Sequence, residues 1–503
     1  MNLIRQNAVQ QIKNIFRSVP EIRSVIENQV DFDDKLFSLT QIAVPVSSQD
    51  SLCTRAVLQK DLLCVQIEPQ TFISTAFKHL VNNAKKSSYY DPFRYKWYFD
   101  EWRKIPCWKQ LKPTVGNQVV VEFSSPNIAK PLHAGHLRST LLGNFISNIH
   151  DRFGYLSYRM NYLGDWGTQY GLLAVGFKKF GSQEELNKQA LKHLLDIYVK
   201  ANKDEGLHDE AKKYFSKMEN GDEEALELWN DFRTLSIANL ESIYKTFDIE
   251  FDEYQSESQY RLEAKNIIKQ LSILGLCQKR ADGAMEVVIP AQYSSLNREA
   301  RYVVQKSDGS TLYISRDMED FYVPFGRMTN FQTRKGKFEL LSDVLNDARE
   351  RANDGLNRFL IRKEGVDQTK VSEVIGKAYL ILTDFSRPRR ADYSFSWNDI
   401  VSKDNSAFIL LYCHARLCSL EAENKMNIDY SADASLLVDI KEHQLIQILA
   451  KYEDVLFDAY RAYEPHKIVH YLLFLVRSST NLEKVNESDN ILEMKWYTSL
   501  GKL

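Results

Sequence analysis

The chain has 503 residues, 44% apolar and 26% charged, more than one hydrophobic core accommodates, so two to four domains are expected. Lysine and arginine total 65 against 67 aspartates and glutamates, a net charge of −2, so no global basic field marks a nucleic-acid binder and any RNA-contacting surface must be local. The six cysteines, Cys53, Cys64, Cys107, Cys277, Cys413 and Cys418, are scattered without a CxxC pair, which argues against a zinc centre or a disulfide framework and suits a reducing compartment. No apolar run approaches the ~18 residues of a membrane span.

Residues 1–20 carry Arg5, Lys13 and Arg17, and no acid precedes Glu21. Leu3, Ile4, Val9, Ile12, Phe16 and Val19 fall near helical spacing, so this segment reads either as a basic amphipathic targeting helix or as the first helix of an N-terminal domain. Residues 1–112 alternate helix-like and strand-like pieces and close on an aromatic, basic segment from Tyr95 to Trp108. Further basic clusters stand at Lys85-Lys86, Arg334-Lys335-Gly336-Lys337 and Arg387-Pro388-Arg389-Arg390; each, taken singly, fits a solvated face better than an RNA contact.

The β-branched run Val119-Val120-Val121 stops at a turn, Ser124-Ser125-Pro126, and gives way to a Leu-rich helical pattern beginning near His133. Strand, loop and helix in that order place a ligand at the carboxyl end of a parallel sheet. His133 and His136, spaced i, i+3, share one helix face, and Gly135 between them removes a side chain that would block close approach. Two histidines at a helix start are by themselves more often a cap and a surface residue. From Glu184 to about Thr246 the pattern is helical, with Leu191, Leu194, Leu195 and Tyr198 on one stripe and Leu226, Leu228, Trp229, Phe232 and Leu235 on another, both expected in the core. An Asp308-Gly309 turn feeds a predicted strand ending at Asp317, and from about residue 385 helices dominate.

The His-x-Gly-His element together with its flanks, Glu122 to Pro131 before it and Asn161-Tyr162-Leu163-Gly164-Asp165-Trp166-Gly167-Thr168-Gln169-Tyr170-Gly171 after it, closely resembles the arginyl-tRNA synthetases, a class I family. The resemblance runs from about residue 112 to 480 and implies an α/β fold: a Rossmann-like catalytic domain at 113–384 with a helical insertion at about 184–247, an α+β N-terminal tRNA-contacting domain at 1–112, and a helical anticodon-binding domain at 385–503, opening near Leu411 to Leu417. It implies arginine–tRNA ligation, with L-arginine, ATP accompanied by Mg2+, and tRNA(Arg) as partners, a monomer, and no resident metal. A class I synthetase for glutamate or glutamine shares the helix signature, but the Asn161 to Gly171 stretch speaks against it.

Amino-acid activation sets a carboxylate in line with the α-phosphorus of ATP, so the protein needs donors rather than a nucleophile of its own. By resemblance His133, Gly135 and His136 hold the ATP phosphates, Lys130 adds charge there, and Arg334 and Lys335 belong to the short basic loop that corresponds to the second class I signature. Glu122, Asn127, Tyr313 and Asp317 line the arginine site, Asp317 taking the guanidinium, Tyr313 packing beside it, and Glu122 and Asn127 holding the amino-acid end; outside that context Glu122 reads as a strand-end ion-pair partner and Asp317 as a helix cap. Likeness to the mitochondrial branch of the family favours a mitochondrial matrix protein, with the cytoplasm as the alternative.

The chain departs from the family in two places. Only Met318 to Pro324 separate Asp317 from Phe325, where the family has a helix, a strand and a second helix, and a parallel crossover needs about a dozen residues. A sheet abbreviated in its second half is therefore expected, with an uncovered apolar surface and an impaired adenosine and arginine pocket; a catalytically impaired tRNA-binding relative is the alternative function. The stretch from Asn481 to Leu503 is polar and weakly patterned where a closing helix is expected.

Overall fold

The computed structural model describes residues 44–45, 53–59, 62–67, 73–74, 76–77, 118–128, 132, 134–289, 299–305, 323–329, 340–358, 367–395, 397, 405–423 and 440–483. In the N-terminal part, β1 (Val44–Pro45), β2 (Cys53–Gln59) and β3 (Leu62–Ile67) form an antiparallel sheet in sequential order. Residues 1–20 and the segment from Tyr95 to Trp108 lie outside the described residues.

A parallel sheet is built from β4 (Gln118–Glu122), β5 (Leu156–Leu163) and β6 (Glu253–Ser256), in the order β4-β5-β6. Helix α1 (Ala134–Arg152) makes the first crossover. Its Leu137, Leu141 and Leu142, at helical spacing, are all buried, as the Leu-rich pattern predicts. The second crossover is long: α2 (Thr168–Phe180), α3 (Gln183–Asn202), α4 (Gly206–Glu219) and α5 (Glu223–Thr246) precede β6. Ser182 and Asp222 cap α3 and α5 by accepting from the backbone N–H of Glu185 and Ala225. Of the two predicted stripes, Leu194 and Phe232 are buried, Tyr198, Leu226, Leu228, Trp229 and Leu235 pack against the core, Leu195 is half-buried, and the Leu191 side chain lies outside the described residues. At Gly171 the backbone of α4 passes so close that an added Cβ would stand 2.1 Å from the Ala211 carbonyl oxygen, which explains a glycine inside α2.

A short 3-10 turn leads to α6 (Arg261–Ile273), and the antiparallel strands β7 (Cys277–Lys279), β8 (Met285–Ile289) and β9 (Ala300–Gln305) form a separate sheet over Ile268, Cys277 and Val304. Next, β10 (Met328–Thr329) pairs in parallel with β11 (Tyr393–Ser394), enclosing α7 (Leu341–Arg358) and α8 (Gln368–Phe385). The chain goes on through α9 (Ser406–Glu423), α10 (Ile440–Ala450), α11 (Tyr452–Ala462) and α12 (His466–Glu483). No helix among the described residues is long and apolar enough to cross a membrane.

One continuous core runs from Phe123, Ile128 and Leu132 through α1 to α5 and on to α7 and α8. A second cluster joins Ile149 and Phe153, at the far end of α1, to Leu456, Phe457, Ala459 and Tyr460 of α11. Helix α1 therefore touches the loop after β4 at its start and the C-terminal helices at its end. On β4 burial alternates: Val119 and Val121 are half-buried, whereas Gln118, Val120 and Glu122 are exposed, Val120 at 57%.

Candidate active site

The loop leaving β4 is sewn to the end of β5. Phe123 N–H donates to Met160 C=O, Gly164 N–H to Pro126 C=O at 3.0 Å, and Ile128 N–H to Gly164 C=O at 3.2 Å. Asn127 and Gly164 make a parallel bridge. Tyr170, buried on α2, donates its hydroxyl to the Gly164 carbonyl and lies 3.3 Å from Asn127 Oδ1. Ser125 Oγ donates to Glu122 Oε1 across the turn. Glu122 and Asn127 thus flank one loop at the carboxyl end of β4, where the resemblance expects the amino-acid end of the substrate.

His136 lies half-buried in the first turn of α1, and Gly135 beside it is exposed. Helix N-termini leave backbone N–H groups unpaired and carry a partial positive charge, a setting suited to phosphate. Lys130, His133, Tyr313, Asp317, Arg334 and Lys335 lie outside the described residues.

Residues on both sides of the Thr333 to Gly336 loop are fixed against the signature segment. After it, Leu341 N–H at the start of α7 donates to the Leu132 carbonyl at 2.8 Å. Before it, the Gly326 carbonyl accepts from Arg138 Nη1 at 2.7 Å. Arg138 is 2% exposed and spreads its fork over further carbonyls, Ala391 at 2.9 Å and Arg389 at 3.0 Å, while Nε stands 3.1 Å from Asp384 Oδ1. Burial pushes the Asp384 carboxyl up, against the pull of Arg138 and the hydrogen bond from Tyr393. At Gly326 itself an added Cβ would stand 2.3 Å from the Ala391 carbonyl oxygen, so the close approach requires glycine.

The Arg387 to Arg390 cluster, which its sequence suggests is a solvated face, is in part a joint. Arg389 is buried, donates from Nε to the Tyr463 carbonyl and from Nη1 to the Pro324 carbonyl, and its backbone N–H reaches Glu464. Arg387 lies over the Tyr393 ring, 4.5 Å from its centroid. Charge composition alone carried no sign of this; Pro388 within the cluster and the aromatic Tyr393 were the available signal.

The Gly164 to Gly167 stretch is architectural. Asp165, fully buried, accepts from the backbone and hydroxyl of Ser258 at 2.9 and 2.8 Å and pairs with Arg233 Nε at 3.1 Å. Trp229 donates to its carbonyl at 2.8 Å, and Trp166 donates to Glu219. Desolvation raises the Asp165 carboxyl, opposed by Ser258 and Arg233. These contacts bind the inserted helices α4 and α5 to the edge of the sheet. Among the described residues no cluster of histidine, cysteine or acidic side chains could hold a metal ion.

A parallel β-loop-α unit with a histidine in the first helical turn defines a nucleotide-binding half of the class I synthetase type. Residues 107–322 and 319–397 match the family of class I tRNA synthetases (R), catalytic domain, and residues 410–491 match the DALR anticodon binding domain. The chain is 37% identical to the mitochondrial arginine–tRNA ligase of Saccharomyces cerevisiae over 72% of its own length and 65% of the relative's, so it spans about two thirds of that protein. It is 32% identical to a probable cytoplasmic arginine–tRNA ligase of Schizosaccharomyces pombe, covering 73% of this chain and 71% of that one. The crystal structure of arginyl-tRNA synthetase from Plasmodium falciparum superposes with a TM-score of 0.64 over 90% of this chain and 83% of that one at 22% identity, a likeness of fold. The chain belongs to the class I arginyl-tRNA synthetase family.

Proposed function

We propose that this chain is an arginine–tRNA ligase that joins L-arginine to the α-phosphate of ATP with release of pyrophosphate, then passes the arginyl group to the terminal adenosine of tRNA(Arg) with release of AMP. The observation that carries the reading is the joint arrangement of the first helical turn of α1, with His136, and the loop bearing Glu122 and Asn127, held together at the end of β4. His136 and Gly135, with His133 and Lys130 by resemblance, supply donors and charge to the ATP phosphates, whose charge Mg2+ entering with ATP shares. Arg334 and Lys335, by the same resemblance, supply charge to pyrophosphate. Tyr313 and Asp317 complete the arginine pocket with Glu122 and Asn127. The relatives' names as ligases support activity over the impaired tRNA-binding alternative.

The same reading places the 385–503 helices on the anticodon and the chain, as a monomer, in the mitochondrial matrix; the similarity to a mitochondrial relative and the basic residues 1–20 support that compartment over the cytoplasm. The abbreviated sheet also belongs to this proposal, and the exposure of Val120 on the outward face of β4 supports it.

Pyrophosphate exchange into ATP, measured with tRNA(Arg) present and with arginine, glutamine or glutamate in turn, tests the whole. Exchange with arginine alone is expected; exchange with another of the three, or with none, refutes the assignment. Asp317→Asn should then raise the KM for arginine far more than that for ATP, by the ~2–5 kcal/mol that breaking a desolvated charge pair costs. An unchanged arginine KM beside a raised ATP KM would move Asp317 to the nucleotide site.

A further inference from the structure

Ser124 and Ser125 both have left-handed backbones, with φ of 74° and 45°, conformations that serine rarely adopts. They sit between Glu122 and Asn127, so whatever holds them decides where those two side chains stand. The holding contacts are polar, buried and drawn from three elements distant in sequence. Ser124 Oγ is 2.8 Å from Tyr244 Oη, at the last turn of α5, and 2.9 Å from Thr140 Oγ1 on α1. Asn161 Nδ2 donates to Tyr244 Oη at 3.1 Å, and Asn161 Oδ1 accepts from the backbone N–H of Ser125 at 3.1 Å. Thr140 Oγ1 is also 2.7 Å from the His136 carbonyl.

A carbonyl only accepts and an amide nitrogen only donates, which fixes the two ends of the network. Thr140 Oγ1 donates toward both the His136 carbonyl and Ser124 Oγ, and Asn161 donates to Tyr244, whose own proton is left for Ser124. Ser124 Oγ stands at the centre, held from α1 by Thr140 and from α5 by Tyr244. Ser124, Thr140, Asn161 and Tyr244 are all 5% exposed or less, so no water competes for these positions.

We propose that Tyr244 is a positioning residue: through this buried hydrogen-bonded network the inserted helices lock the Ser124-Ser125 turn and thereby set affinity for the amino acid. The proposal rests on the arginine-activating reading for its substrate. Burial raises the Tyr244 hydroxyl, which keeps it protonated and able to donate at any working pH. Phe123, Phe251 and Tyr244 pack ring against ring, with Phe251 centroids 4.6 and 4.9 Å from the other two, so a phenylalanine at 244 retains the packing and loses only the proton.

The test uses the full chain carrying Tyr244→Phe, in arginine-dependent pyrophosphate exchange with tRNA(Arg), beside hydrogen exchange of the amides of Phe123, Ser124, Ser125, Asn127 and Ile128. At least a fivefold rise in KM for arginine is expected, with kcat and the KM for ATP within twofold, and at least tenfold faster exchange at Ser125. Thr140→Val, which cuts the network from the other side, should do the same, and Thr140→Ser should not. In a Ser124→Gly background, where the strain at position 124 and its hydroxyl are both gone, Tyr244→Phe should add less than twofold.

Unchanged loop protection in either cut variant overturns the proposal, as does an undiminished effect in the Ser124→Gly background or an equal rise in both KM values. A parent chain that activates no arginine refutes the functional reading and the affinity role with it, and the exchange of Ser125 then decides the locking of the turn alone.

Discussion

His136 in the first turn of α1 and Arg138 two residues on illustrate how differently neighbouring side chains serve one helix. His136 stands in the first helical turn, where the proposed function puts it on the ATP phosphates and where a lost donor to a developing oxyanion costs ~3–4 kcal/mol. His136→Ala is expected to slow adenylate formation at least tenfold, and His133→Ala likewise, with tRNA affinity unchanged within twofold; pyrophosphate exchange beside filter binding of tRNA(Arg) reads both. Arg138 points into protein and joins α1 to Gly326, Ala391, Arg389 and Asp384. Arg138→Met strands those carbonyls and takes from the buried Asp384 carboxylate its nearest counter-charge, leaving only the more distant Arg387, a loss of about 3–5 kcal/mol. Arg138→Lys should lose nearly as much, because an ammonium cannot reproduce a planar fork. Urea titrations of the two variants check this, and a lysine variant as stable as the parent would show that charge alone suffices.

Helix α1, with 19 residues, is about 28 Å long, enough to span from the loop after β4 to the C-terminal helices. Its far end carries His150, 5% exposed among Tyr155, Tyr460 and Tyr463. His150 Nδ1 lies 2.8 Å from the Ile146 carbonyl and so must carry the proton, leaving Nε2 to accept from the Tyr463 hydroxyl at 3.3 Å. Burial lowers the imidazole's pKa below 6.5, against the Ile146 hydrogen bond and the charge of Asp151, which raise it. The folded state therefore binds fewer protons than the unfolded one, and stability present above 6.5 is lost as pH falls through the folded-state value. Between pH 7 and pH 5 the parent should lose more Tm than His150→Phe does, other groups titrating equally in both. Equal losses would mean that the junction of α1 with α11 stays intact around a charged ring.

At the scale of the molecule, legibility in the sequence followed the range of the interactions. Strand β4 and helix α1 were readable because Val119 to Val121 and the spacing of Leu137, Leu141 and Leu142 are local patterns. The stripes of the inserted helices were readable for the same reason. Tyr244 was not: its partners Ser124, Thr140 and Asn161 lie far away along the chain, and a lone tyrosine near a helix end looks like any core aromatic. Arg389 escaped for a related reason, since a run of arginines looks solvated until Pro324, Tyr463 and Glu464 are brought to it. The candidate site divides likewise. His136, Glu122 and Asn127 came from motif register, whereas the contacts that hold them are nonlocal.

The two faces of β4 put the proposed abbreviation of the sheet to a physical test. Val121 packs against the core from one face, while Val120, one residue away, is 57% exposed on the other. In a sheet covered on both faces, a charge at either position would be buried without a partner and cost at least ~2 kcal/mol. With the outward face bare, Val120→Lys should change stability by no more than about 0.5 kcal/mol, as ordinary surface substitutions do, while Val121→Lys pays the full penalty. Val120→Lys should also lower turbidity on concentration, because a charge on an open, β-branched strand face discourages pairing between chains. Urea midpoints and light scattering of the two variants measure both effects. Equal destabilisation by the two lysines would show that other parts of the chain close over this face and that the second half of the sheet is complete in space.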